Sequence, residues 1–116
     1  MFVGVARLVV HVPSAQSLKD KRRVVLSIKE RIQTRLRVSA AEVGGLDTRQ
    51  RAVLGVAVVS NEAAVCDEQL ANAAQIARGA RDAVLLDVTT EVIPLSDEGR
   101  GVGAGAGPLG GGDDEG

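Results

Sequence analysis

The side chains best suited to binding chemistry in this sequence are cationic, and they crowd into one stretch. The segment SLKDKRRVVLSIKERIQTRLR, residues 17–37, holds eight of the 14 Lys and Arg residues against two carboxylates, Asp20 and Glu30. Cations at this density bind phosphate groups, and the free N–H groups of a helix start also favour anions. The alternative is a helix surface that is merely solvated. The residues we predict to bind nucleic acid are Lys19, Lys21, Arg22, Arg23 and Lys29, with Arg49 and Arg51 extending the patch.

Other reactive residue types are isolated from one another. His11 has no second His or Cys nearby, so a structural role is a better interpretation than a metal ligand or a base. Cys66, the single cysteine, falls on an apolar helix stripe and fits a small core residue. Glu42 and Asp47 flank a Gly-Gly pair and fit a solvated hairpin better than a catalytic carboxylate pair. We therefore predict no enzymatic activity, no metal site and no cofactor.

The basic segment must be a helix, because its apolar residues recur at intervals of three, four and seven. Ser17 is suited to cap its first turn by accepting from the N–H of Asp20, whose own carboxylate can reach back to complete a capping box. The residues predicted to form its buried face are Leu18, Val25, Ile28, Ile32 and Leu36.

Valine-rich stretches on either side of this helix predict strands. Residues 2–12 and 51–60 are apolar on both faces, which is typical of central strands, and residues 38–43 and 83–93 complete a set of four. A second helix is predicted over residues 61–80, with an apolar stripe that includes Cys66 and Leu70. In the last strand, Val84, Leu86, Val88 and Val92 should share one face.

The order β-α-β-β-α-β predicts an α+β ferredoxin-like fold, a four-stranded antiparallel sheet with both helices on one face. The opposite face would then expose apolar side chains to water, which favours a homodimer that covers it. The residues predicted for self-association are Val3, Val5, Arg7, Val9 and His11.

Charge and composition divide the chain into two regions. Residues 1–96 hold 13 Lys and Arg against 10 Asp and Glu, whereas residues 97–116 hold one Arg against five acids. We predict a folded domain over residues 1–94 and a disordered, Gly-rich acidic tail over residues 95–116. The apolar N-terminal residues lack the features of a signal peptide and are too few to span a bilayer, so we expect a cytoplasmic protein without membrane contact.

Three segments carry a family resemblance: HVPSAQSLKDKRRVVLSIKERI at 11–32, VSAAEV at 38–43 and QRAVLGVAVVSN at 50–61. Together they resemble the YlxP-like family of small bacterial proteins, catalogued as domain of unknown function 503. The resemblance implies a ferredoxin-like fold over roughly residues 1–93 and, because the family's genes commonly neighbour those of translation factors, an association with ribosomes. Arg49 stands where many members carry Trp, which removes a stacking platform, and Asp20 replaces their usual Glu.

These observations favour a non-enzymatic accessory protein that binds ribosomal or other structured RNA through its basic helix. Base-specific reading of single strands is disfavoured, because the central strands carry no aromatic residue beyond Phe2. The alternative is a self-associating interaction module with no nucleic-acid role.

Overall fold

The computed structural model describes residues 1–96. Its elements follow the predicted order β-α-β-β-α-β. The strands and helices are β1 (Phe2–His11), α1 (Leu18–Arg35), β2 (Ser39–Gly44), β3 (Arg51–Ser60), α2 (Ala63–Arg78) and β4 (Val84–Pro94).

The four strands form one antiparallel sheet in the order β2-β3-β1-β4. The ferredoxin-like fold is thus confirmed, and β1 and β3 are the central strands, as their apolar character on both faces predicted. Pro94 pairs with Phe2 within β4. A proline is tolerated there because β4 is an edge strand, where a missing N–H need not break a ladder.

The core lies between the sheet and the two helices. Alternate residues of β1 and β3, including Leu8, Val10 and Leu54, are fully buried on the helix side of the sheet. From α1 they meet Val25, Ile28 and Ile32 and, from α2, the predicted stripe. That stripe is confirmed: the buried residues of α2 are Cys66, Leu70, Ala73, Ala74 and Ala77.

The two helices start differently. The Ser17 hydroxyl accepts from the N–H of Asp20 at 3.1 Å, which confirms the predicted cap of α1. The Asp20 carboxylate reaches back to the N–H of Gln16 rather than to that of Ser17. In α2 the cap residue is Glu62, whose side chain makes no capping hydrogen bond.

One prediction for β4 is wrong. Val88 and Val92 pack on the core as expected, but Val84 and Leu86 are exposed and Leu85 takes the inward position. The cause is a bulge, where the pairing of β1 with β4 shifts register between Val9 and Val10. One extra residue in a strand turns every side chain beyond it to the opposite face.

The predicted acidic tail lies almost wholly outside the described residues. The first residue of that predicted tail is bonded to the start of β1: the N–H of Leu95 donates to the carbonyl of Met1 at 2.8 Å, and the Met1 amino group donates to the Leu95 carbonyl at 3.0 Å. The boundary of the folded domain at residue 94 remains a prediction.

Candidate nucleic-acid interface

Three of the predicted RNA-binding cations lie exposed on the first turns of α1. Lys19, Arg22 and Arg23 face solvent, while the neighbouring carboxylate of Asp20 is engaged by the N–H of Gln16. Within residues 1–96 the ion pairs are those of Arg7 with Asp87 and of Lys21 with Glu42. The cationic groups of Lys19, Arg22 and Arg23 are therefore free of carboxylate partners in that part of the chain.

Lys29 and Arg22 lie on the flank of α1 that faces β2. Together with Leu26, Val25 and Glu42 they line a depression of about 210 Å³. Lys29 is half-buried, so its aliphatic stem covers apolar surface while its ammonium group can still reach an anion.

Arg49 and Arg51 lie at the end of the sheet where α1 begins. The Arg49 guanidinium donates to the carbonyl of Gln16 at 3.3 Å, directly before the Ser17 cap. Arg51 is exposed at the first position of β3 and pairs with His11. The hairpin between β2 and β3 thus adds two cations to those on the first turns of α1. We call this set of six residues the basic surface: Lys19, Arg22, Arg23, Lys29, Arg49 and Arg51.

Lys21 does not belong to the basic surface, which corrects the prediction made for it. Its side chain is fully buried, and its ammonium group donates to the carbonyl of Gly45 at 2.6 Å and to that of Arg51 at 3.2 Å. The carboxylate oxygen Oε2 of Glu42 lies 3.0 Å from the same nitrogen, as an ion pair whose angles fall short of a hydrogen bond. A cation held this way inside the domain is not available to a polyanion.

Glu42 therefore has a different role from the predicted one. It is not part of a solvated hairpin, because only 18 % of its side chain is exposed and Lys21 neutralises it. Gly45, three residues further on in the hairpin, has a φ of 71°, and a Cβ there would lie 2.6 Å from the Arg51 carbonyl oxygen. Lys21, Glu42 and Gly45 together fix the β2–β3 hairpin against α1.

The spacing of the apolar residues in α1 indicates that Lys21 is buried. Leu18, Val25, Ile28 and Ile32 follow a three-four rhythm with one gap, and Lys21 fills that gap. A lysine in an otherwise apolar stripe has its stem in the core and needs acceptors at the tip. The acceptors, two backbone carbonyls and Glu42, come from a hairpin more than 20 residues away, so the sequence did not indicate them.

The side of the sheet turned away from the helices is the open face. The even residues of β1 pack on the helices, so Val3, Val5, Arg7, Val9 and His11 share the open face, as predicted. The structure does not test their role in self-association. Arg7 donates to the Thr89 hydroxyl at 3.2 Å. The His11 Nδ1 donates to the Gln50 carbonyl at 2.9 Å, which is the structural role expected of it.

Strand β3 contributes further apolar surface to the open face. Val59 is 63 % exposed, and Ala57 is half-buried beside an apolar depression of about 300 Å³. Val5, Ala41 and Val43 line the same depression together with Gly55, at which a Cβ would lie 3.2 Å from a methyl carbon of Val43.

Metal ligation and membrane crossing find no support in the described part of the chain. Among residues 1–96, no three His, Cys, Asp or Glu side chains are grouped as metal ligands would be. Neither α1 nor α2 combines the length and the apolar character that crossing a membrane requires.

Comparison with known proteins agrees with the fold. Residues 3–90 match the family described as protein of unknown function DUF503. The chain is also 37 % identical over 68 residues to the uncharacterized protein YlxP of Bacillus subtilis (strain 168), a match that covers 59 % of this chain and 74 % of that protein. The region that matches the family includes every helix and most of β4. The chain is accordingly a member of the DUF503 family, and it is YlxP-like.

Proposed function

We propose that this protein is a non-enzymatic cytoplasmic accessory factor that binds structured RNA, such as ribosomal RNA, through the basic surface. The observation that carries the proposal is the lack of internal neutralisation: none of these six side chains has a carboxylate partner within residues 1–96. Of the nearby acids, Asp20 accepts from the N–H of Gln16 and Glu42 is paired with Lys21, while Glu30 and Asp47 are exposed and form no ion pair within residues 1–96.

The shape of the basic surface favours backbone recognition. Its cations lie on the first turns of α1, on the side of that helix that faces β2, and on the adjoining hairpin. Such a spread of charge contacts phosphates on more than one strand of a folded RNA. The described residues offer no exposed aromatic side chain for base stacking, so affinity should depend on charge and RNA shape.

A salt titration tests the proposal directly. The probe is a fluorescently labelled RNA hairpin, with bacterial ribosomal RNA as competitor, and binding is followed by anisotropy. If about four phosphate contacts form, affinity should fall about 100-fold between 50 and 200 mM salt. Binding that does not change with salt would contradict a charge-driven interface.

Charge reversal identifies the surface. Arg22→Glu combined with Arg23→Glu should weaken binding at least tenfold and lower the salt slope by about two, because each arginine is expected to neutralise one phosphate. Lys21 is not used for this test, because its replacement would disturb the fold. The matched control is Arg78→Glu with Arg81→Glu, which makes the same charge change at exposed positions of the other half of the domain. Equal decreases in affinity for both double variants would mean that net charge alone drives binding.

A second candidate function is a protein-interaction module that self-associates through the open face and has no role with RNA. The exposed Val59 and the apolar depression beside Ala57 favour it. The cations on α1 lie on the helix side of the sheet, whereas Arg51 pairs with His11 and shares the open face with it, so the two surfaces adjoin at that end of β3. RNA binding that persists in a monomeric variant separates them.

A further inference from the structure

The first turns of α1 attract anions for a reason beyond the charge of their side chains. The positive end of the helix dipole lies there and adds to the charges of Lys19, Arg22 and Arg23. Within residues 1–96, Asp20 is engaged by a backbone N–H, and Asp82 lines a groove with Arg23 but forms no ion pair with it. These three cations are therefore available to carboxylates from outside the described domain.

The sequence supplies such carboxylates in residues 97–116. Asp113, Asp114 and Glu115 form the densest acidic run of the chain, and we call these three residues the acidic run. The 14 residues that precede it, 99–112, contain a single charged side chain, that of Arg100. The acidic run thus lies well apart along the chain from the other acids of this segment, Asp97 and Glu98.

We propose that the acidic run binds the first turns of α1 in the same chain, with its carboxylates paired to Lys19, Arg22 and Arg23. The contact occupies part of the basic surface while no RNA is bound. RNA must displace the acidic run to bind there, so residues 97–116 act as an internal competitor. The competition rests on the proposed function, whereas the contact itself does not.

The chain is long enough for this contact. Leu95 is hydrogen-bonded to Met1, so Ser96 lies at the end of the sheet where β1 begins. Helix α1 starts at the opposite end of the sheet and is 18 residues, or about 27 Å, long. It packs on β2, three strand spacings of about 4.8 Å from β4. The first turns of α1 are thus on the order of 40 Å from Ser96, whereas the 17 residues from Ser96 to Asp113 can span about 56 Å.

The other acids and cations near this path fit the contact less well. Asp97 and Glu98 can reach no further than about 7 Å from Ser96, which is too short for the start of α1. Arg35 and Arg37 are exposed near the end of α1, where the negative end of the helix dipole opposes a carboxylate. Charge and dipole act together only at the start of the helix.

The contact should be moderate in strength. Exposed ion pairs are individually weak, but a tether within one chain gives an effective concentration on the order of millimolar. We therefore expect the acidic run to weaken RNA binding about three- to tenfold at 50 mM salt rather than to abolish it. The effect should fade as salt screens the charges.

A spin label on the last residue tests the contact without RNA. Gly116→Cys in the full chain gives one reactive thiol, because Cys66 is fully buried. In NMR spectra of ¹⁵N-labelled protein at 50 mM salt, the amide signals of Lys19, Arg22 and Arg23 should lose most of their intensity. The signals of residues 63–68 should lose less, although the start of α2 lies at the same end of the sheet as Ser96. Broadening at α2 that equals or exceeds broadening at α1 would overturn the contact.

A mixed sample shows whether the contact forms within one chain. Spin-labelled protein without ¹⁵N is mixed with ¹⁵N-labelled protein that carries no spin label. The signals of Lys19, Arg22 and Arg23 should then keep their intensity. Broadening as strong as in the doubly labelled chain would overturn a contact within the chain.

Neutralising the acidic run tests the competition. The full-length variant Asp113→Asn/Asp114→Asn/Glu115→Gln should bind the RNA hairpin about three- to tenfold more tightly than the wild type at 50 mM salt, and less than about twofold more tightly at 200 mM. Combined with the spin label, the same changes should remove the excess broadening at α1. Unchanged RNA affinity, with the broadening removed, would overturn the competition.

A matched control separates contact from net charge. Glu91→Gln/Asp97→Asn/Glu98→Gln removes the same three charges at positions on β4 or within two residues of Ser96, and it should strengthen RNA binding less than about twofold. Equal gains in the two triple variants would mean that net charge explains both and would overturn the competition. Absence of RNA binding in all three proteins, with the spin-label contact intact, would overturn the proposed function but not the contact.

Discussion

The two β-α-β halves of this domain share a layout but differ in their helices. Helix α1 is covered with cations and contacts β2 and β3, whereas α2 contacts β1, β3 and β4 through small side chains. Below α2, Gly4 leaves so little room that a Cβ there would lie 3.0 Å from the Cβ of Cys66. Helix α1 instead buries the stem of Lys21, whose ammonium group donates to two carbonyls of the β2–β3 hairpin.

The two helices are therefore held on the same sheet in two different ways. The α2 half uses close approach of small residues and buries no charged side chain. The α1 half uses a buried cation, which costs desolvation but ties helix and hairpin into one unit. That unit also positions Arg49 and Arg51 beside the start of α1, so the buried Lys21 supports the basic surface without belonging to it.

The largest expected effect comes from removing the buried cation. Lys21→Met keeps the apolar stem but leaves two carbonyls and the Glu42 carboxylate without their partner. We expect a decrease of about 3 kcal/mol in the free energy of unfolding, measured by urea denaturation. Lys19→Met, two residues earlier on the exposed side of α1, should change stability by less than about 0.5 kcal/mol. If both variants unfold at the same urea concentration, Lys21 does not stabilise the domain.

The next effect tests the close approach of α2. Gly4→Ala should cost about 2 kcal/mol, because the new methyl group meets the side chains of Cys66, Leu70 and Val58 at 3.0–3.1 Å in a packed core. Gly79→Ala is the matched control: its Cβ would meet the nearest atom at 3.5 Å, and its φ of −83° suits alanine. In thermal unfolding, the midpoint temperature of Gly4→Ala should lie below that of the wild type, whereas that of Gly79→Ala should equal or exceed it. A Gly4→Ala protein as stable as wild type would mean that α2 can shift without cost.

Much of this fold could be predicted from the sequence, because its elements have strong local signals. The stripe of α2 and the cap at Ser17 depend on spacing within one helix, and both are confirmed. The predictions that failed depend on partners far along the chain. The bulge opposite Val9 and Val10 turns Leu86 outward, and the acceptors of Lys21 lie in a hairpin. Periodicity describes one element at a time, so it does not reveal register between strands or a polar partner for a buried charge.

The candidate site divides in the same way. The charge of its residues predicted that the basic surface would be exposed to solvent. Lys19, Arg22 and Arg23 are exposed in the structure. The same reasoning failed for Lys21, since charge alone does not decide which side of a helix a lysine faces. RNA binding itself remains a prediction from charge and family resemblance.

A smaller effect concerns the start of α1. Ser17→Ala removes the hydroxyl that accepts from the N–H of Asp20, and we expect a decrease of about 1 kcal/mol in the free energy of unfolding. Ser27→Ala, the same change at an exposed position within α1, should be neutral or slightly stabilising, because alanine favours a helix. Urea midpoints of the two variants compare them directly, and equal midpoints would show that the cap contributes nothing.

The smallest effect is a gain at the equivalent position of α2. Glu62 has the extended backbone of a cap residue, with a φ of −132°, but its longer side chain makes no capping bond. Glu62→Asp keeps the negative charge near the positive end of the helix and shortens the side chain enough to accept from the N–H of Val65. We expect a gain of about 0.5 kcal/mol in the free energy of unfolding, whereas Glu68→Asp inside α2 should give none. If Glu62→Asp fails to stabilise while Ser17→Ala still destabilises, the start of α2 is held by its packing on the sheet, and capping matters only in the half that carries the basic surface.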